Sequence, residues 1–199
     1  GPLSHVVMSR QRLDNESEAS DSQSQVLERF SYLASEAKML ARVIEHVPYD
    51  EQPPQKPSIL ELLDRLRVFQ VDYLKPLVEK VEEMRDTINY ATIQAWEETF
   101  KQEQSLEDIS RVGEVLDDIS RERNQIVSRL EKFDSSHWES TIVQSKGQEL
   151  LFEEILNRVV EYERTILSRI SDQVMVYSQQ RNSQREIENR RDQQDDRKG

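Results

Sequence analysis

The sequence predicts an all-α fold, an elongated bundle of three to four long antiparallel helices with coiled-coil-like packing. Three observations carry that expectation. Apolar residues recur at helical spacing over most of the chain, strand-like alternation of useful length is missing, and the 199 residues include only 4 glycines. The balance of residues agrees, at 35% hydrophobic and 33% charged, against about 45–50% apolar (glycine counted) and about 25% charged in an average globular domain. Slender helices bury a narrow stripe and expose much surface, so they tolerate such a balance.

Residues 1–7 read as the remnant of an expression tag, and His5 is set aside with them. Residues 8–23 are rich in Ser, Asp, Glu and Gln with few large apolar groups, a composition expected to stay disordered. A single bundle domain is expected over 24–180, with helices at about 25–47, 58–103, 106–133 and 137–180. In the first, Val26, Phe30, Leu33, Ala37, Leu40, Ile44 and Val47 step 4-3-4-3-4-3, a heptad seam. Pro48 stops it, because the residue before a proline is pushed out of the α region. The proline-rich stretch 48–57 then serves as a stiff connector.

Ser58 and Glu61 form a capping box that opens the second helix: a Ser side chain and an acid three residues on satisfy orphan N–H groups reciprocally. Leu63, Leu66, Tyr73 and Leu77 lead into Val81, Met84, Ile88, Ala91 and Ala95 at 3-4-3-4 spacing. Unbroken to Phe100, this would be a rod of about 65 Å. Pro76 lies inside it, where a proline costs about 3 kcal/mol, so a kink is expected nearby.

A weaker box at Ser105–Asp108 starts the third helix, which carries Ile109, Val112, Leu116, Ile119, Ile126, Leu130 and Phe133 on one face. Arg123 occupies the slot between Ile119 and Ile126. The favoured reading is a side chain that snorkels to the rim; the alternative pairs it with an acid across the interface and sets register. Ser136–Glu139 is a third box. Beyond Gly147, Leu151, Ile155, Val159, Tyr162, Ile166, Ile170, Val174 and Tyr177 step mostly by four, which suits globular-style packing. Gly147 bends or breaks this helix, leaving 137–146 as a short separate piece. Residues 181–199 form a charged tail expected to fray.

The net charge of −12 and pI near 4.8 repel phosphate backbones and anionic membranes alike. There is no cysteine, which removes thiol catalysis, disulfides and thiolate metal sites. Isolated glycines make no phosphate cradle. Neither His46 nor His137 follows a Glu by three residues, so the pattern of a carboxylate-bridged di-metal bundle is missing. The run of about 18–20 apolar residues that a membrane span requires is missing too. The expected setting is therefore the cytoplasm or nucleus.

These observations favour a non-catalytic scaffold that binds protein partners or oligomerises through its seams, with no cofactor, metal or small-molecule substrate. The seam would draw on Val26, Phe30, Leu33, Leu40 and Ile44 of the first helix. The second would add Val81, Met84 and Ile88, and the third Ile109, Leu116, Ile119 and Ile126. Ile93, Trp96 and Phe100, partly off the seam, are the candidate partner-binding triplet. The alternative function is a membrane-shaping helical dimer of the BAR type, on length, long helices and the Pro76 kink.

Overall fold

The computed structural model describes the backbone of residues 2–44, 46–47, 56–84, 86–100 and 111–198; side chains are described between 21 and 197 within those bounds, except at Met84 and Arg111. Helix α1 spans Pro2–Ile44. No proline or glycine interrupts it after Pro2, so the stretch 8–23, expected to be disordered, continues the helix that packs further along.

The rod expected from Ser58 starts at the expected cap and ends sooner. Ser58 Oγ accepts the Glu61 N–H at 3.1 Å, and a Glu61 carboxylate oxygen accepts the Ser58 N–H at 3.3 Å. Helix α2 (Ile59–Phe69) follows, then a π turn (Gln70–Leu74) and helix α3 (Lys75–Met84). A π turn stands where the kink was expected. Pro76 has no N–H to give the carbonyl four residues back, and the chain widens just before it, with the Lys75 N–H donating to Gln70 O.

The helix does not continue through Ile88 as the 3-4 spacing suggested. Strand β1 (Thr87–Asn89) and the short helix α4 (Ile93–Thr99) take its place, the latter capped by Thr92 Oγ1 accepting the Ala95 N–H at 3.0 Å. Helix α5 (Arg111–Leu130) and the single turn α6 (Ser135–Trp138) come next. The box expected at Ser136–Glu139 sits two residues earlier. Asp134 accepts the His137 N–H at 3.2 Å, and His137 Nδ1 accepts the Asp134 N–H at 3.1 Å. Strand β2 (Thr141–Val143), a 3₁₀ turn (Ser145–Gly147) and strand β3 (Glu149–Leu151) lead into helix α7 (Phe152–Lys198). The Ser105–Asp108 box and Ile109 lie outside the described residues.

The chain is therefore mostly helical but carries a three-stranded sheet in the order β1-β2-β3. Strands β1 and β2 are parallel with Ile88 opposite Ile142, and β2 pairs antiparallel with β3. Ile88 and Ile142 are both buried. Each strand is three residues long, too short for a period of two to stand out from helical spacing.

Among the described residues, four long helical segments pack together: α1 against α5 and α7, and α2 against α5 and α7. The core has two parts. One lies by the sheet and gathers Phe30, Phe69, Tyr73, Val81, Ile88 and Ile142 with Trp138 and Phe152. The other, further along the bundle, gathers Leu33, Ile44, Leu63, Leu66, Leu116, Ile119 and Ile166. The heptad positions of α1 are thus divided between the two parts, with Leu40 at the margin of the second. No helix of the described residues is long and apolar enough to cross a membrane.

Candidate ligand cleft at the sheet end of the bundle

A cleft of about 360 Å³ opens where the sheet meets the bundle, within the range usual for small-molecule sites. Its walls come from separate parts of the chain. The π turn supplies Tyr73, the entry to α4 supplies Thr92, Ile93 and Gln94, the β2–β3 hairpin supplies Gln144 and Lys146, and α7 supplies Ile155 and Arg158. Tyr73, Gln144 and Ile155 are buried, whereas Lys146 and Arg158 stand exposed at the rim.

The buried floor is held by hydrogen bonds. Tyr73 Oη donates to Ala91 O at 2.7 Å, and Gln144 Nε2 reaches the same oxygen at 3.4 Å. The Tyr90 hydroxyl donates to the backbone oxygen of Tyr73, and the Tyr90 N–H donates to Val143 O at 3.0 Å. The Tyr73 ring stacks on Phe69 at 5.0 Å and meets Tyr90 edge-on at 5.1 Å. Burial pushes the Tyr73 phenol above its ordinary value, and burial with the nearby Asp72 and Glu79 carboxylates pushes Tyr90 up to about 12. Both hydroxyls keep their protons at neutral pH and act as donors.

The rim is set by a strained turn. Lys146 has φ 68° and Gly147 φ 71°, in a hairpin closed by Gln144 N–H to Gln148 O at 2.8 Å. Glycine accepts this left-handed geometry freely, whereas for lysine it costs about 1–2 kcal/mol. Neither Lys146 nor Arg158 has a carboxylate partner among the described residues, although Arg65, Arg67, Arg123 and Arg129 are all paired. Among the described residues, no carboxylate lines the cleft.

Between the two parts of the core lies a buried polar layer. Arg123 does not snorkel. It is fully buried, donates from Nη1 to Glu163 Oε1 at 2.9 Å, and makes a second bond from Nη2 to Oε2. Nη1 also donates to Phe30 O at 3.0 Å, and Nε donates to Gln70 Oε1 at 2.8 Å. Gln70 Nε2 passes the chain on to Ile119 O at 3.1 Å, and the guanidinium carbon lies 3.7 Å from the centre of the Phe30 ring. Every long segment contributes, so the layer fixes their mutual register. Burial raises the Glu163 carboxyl above its ordinary value, with Arg123 opposing.

The residues expected to bind a partner are half-buried against the bundle. Trp96 meets Phe69 edge-on at 5.2 Å and Phe100 at 5.3 Å; Ile93 is partly buried against the sheet-side core and also lines the cleft. Of the expected seam, Val26, Phe30, Leu33, Ile44, Val81, Ile88, Leu116, Ile119 and Ile126 are buried within the chain. Gln144, Lys146 and Arg158 escaped sequence reasoning. The one signal for them was the Thr-Ile-Val run before Lys146-Gly147, a β-branched segment followed by turn residues.

No family model matches the chain, and no curated protein matches it. Among solved structures it is similar to YfiT from Bacillus subtilis, described as a probable metal-dependent hydrolase with an unusual four-helix bundle topology. The TM-score is 0.60 at 9% sequence identity, over 76% of this chain and 85% of that one. Such identity makes the likeness one of fold. Among the described residues, no three His, Asp or Glu side chains gather as a metal site. His137 instead caps a helix turn. The described residues thus do not fit a metal centre, and no chemistry is routed through one. The expectation of a non-catalytic scaffold joined through intermolecular seams is overturned, together with its membrane-shaping alternative: the seam residues close a bundle within one chain, in the fold of a protein described as a probable hydrolase.

Proposed function

We propose that this chain is an enzyme of the hydrolase class and that the cleft at the sheet end receives its substrate. The observation that carries the reading is the cleft's construction. A protonated hydroxyl and a carboxamide are held by one backbone carbonyl on a buried floor, and the exposed lining carries two cations that have no carboxylate partner among the described residues. Their arrangement suits stabilisation of negative charge that develops on a substrate oxygen, an effect that often contributes most to hydrolytic catalysis. The hydrolase class itself rests on fold likeness and is an analogy. Lys146 and Arg158 would face the oxygen, while Tyr73, its proton donated to Ala91 O, would hold the floor in place beneath them.

The test is steady-state hydrolysis of p-nitrophenyl acetate and p-nitrophenyl phosphate by the full chain, beside Arg158→Ala and Tyr73→Phe. Turnover above the uncatalysed rate, reduced at least about tenfold in Arg158→Ala, is the expected result. Absence of turnover on both esters, or turnover untouched by either change, would refute the reading.

A further inference from the structure

We infer that the cleft takes a small organic anion, a carboxylate or phosphate group carried on a compact apolar body, gripped between Lys146 and Arg158. This rests on the cleft being the substrate site and names the class of substrate.

The charge distribution supplies the first part of the argument. The chain has 39 acidic against 27 basic residues, yet among the described residues the cleft lining contains Lys146 and Arg158 and no acid. In a field of net charge −12, a mouth whose charged side chains among the described residues are all positive focuses anions locally. These cations are not spent on neighbours. Arg129 is engaged by Glu82 at 2.8 Å and Arg67 by Asp64 at 2.7 Å, but Lys146 and Arg158 have no such partner among the described residues.

Backbone strain gives the second part. Lys146 occupies a left-handed conformation where Gly147 next to it also has positive φ. Strained non-glycine residues collect at ligand clamps. Lys146 lines the cleft from the hairpin and Arg158 lines it from α7. A guanidinium offers paired donors to a planar carboxylate or a phosphate, and an ammonium adds a point charge.

The walls give the third part. Ile155 is buried in the lining and Ile93 is partly buried beside it. They provide apolar surface for the body of the ligand, while Gln144 and Thr92 offer polar groups for orientation.

The experiment is isothermal titration of the full chain at low salt with three probes of one shape: phenylacetate, phenyl phosphate and the neutral phenylacetamide. At least one anion is expected to bind at least tenfold more tightly than the amide. That preference should shrink with added salt and be lost in Lys146→Gln/Arg158→Gln, while Lys132→Gln, at an exposed base away from the cleft, leaves it in place. Preference for phenyl phosphate identifies a phosphate ligand, and preference for phenylacetate a carboxylate. The amide binding as well as both anions would overturn the anion assignment yet leave the cleft as a binding site. No heat from any probe would overturn both. An anion preference that survives the double change would place the anion elsewhere and refute the grip. Thermal melting of each variant, expected to match the parent, separates lost binding from lost folding.

Discussion

Replacing Arg123 by Met tests whether the buried polar layer holds the bundle in register. Glu163 is 3% exposed and Arg123 fully buried, so the change strands a carboxylate in the core and leaves Gln70 Oε1 and Phe30 O without their partner. Breaking a buried pair from one side costs about 3–5 kcal/mol, a large part of the roughly 5–15 kcal/mol that holds a domain folded. The loss should depend on pH. Burial raises the Glu163 carboxyl above its ordinary value of 4.5, while Arg123 lowers it. Without Arg123 the folded state holds the proton to still higher pH, and between the unfolded and folded values the native form binds more protons than the unfolded one. Stability must then fall as pH rises across that window, by up to about 1.4 kcal/mol per pH unit. Urea unfolding at about pH 5 and pH 8, each referred to the parent protein, measures it. Adding Glu163→Leu to make the double variant should recover most of the loss and its pH dependence, because an apolar pair of similar volume often matches a buried ion pair. A loss under about 1 kcal/mol, or a deficit that shrinks as pH rises, would refute the reasoning.

Two further changes probe the local signals. Ser58→Ala should lower stability by about 1 kcal/mol, because it removes the acceptor for the Glu61 N–H, and chemical denaturation would detect it. Asp134 is held down to about 2, first by the Ser136 hydroxyl and then by the His137 N–H. A carboxylate depressed in the folded state contributes stability that is present above its unfolded value of 3.8 and lost as pH falls towards about 2. Asp134→Asn should therefore flatten the acid limb of the melting curve over that interval, and an unchanged limb would contradict the cap.

The apolar spacing located the core well, but it could not say which surfaces meet. Phe30, Leu33 and Ile44 in α1, or Ile119 and Ile126 in α5, would repeat in the same way whether the facing helix belonged to the same chain or another. Here the facing helices are local, and the sequence mark of that arrangement is Arg123. Its slot in an apolar face reads as a rim position until Glu163 is seen three residues before Ile166 on α7, at the same level of the bundle. An ion pair between residues 123 and 163 has no signature in either helix alone. Ile88 illustrates the opposite difficulty. Its place in the 3-4 spacing correctly marked it as buried, yet it is a strand residue paired with Ile142, and a three-residue strand leaves too little pattern to identify.

The cleft was the least legible feature, for a reason that the π turn makes concrete. On an α-helix each residue turns about 100° from the last, so the seam through Leu66, Tyr73 and Leu77 would place Tyr73 among core residues and nothing more. Widening the turn at Gln70–Leu74 changes the angular phase between α2 and α3. Gln70 then reaches the Arg123 layer while Tyr73, still buried, meets Ala91 O at the floor of the cleft. Pro76 supplies the local reason for the widening, because a regular turn would leave the carbonyl four residues before it without a donor. A residue read as a kink in a scaffold rod thus connects the layer that fixes helix register with the floor of the proposed substrate site. The consequence depends on residues 70, 73, 91 and 123 meeting in space, which no periodicity along the chain encodes.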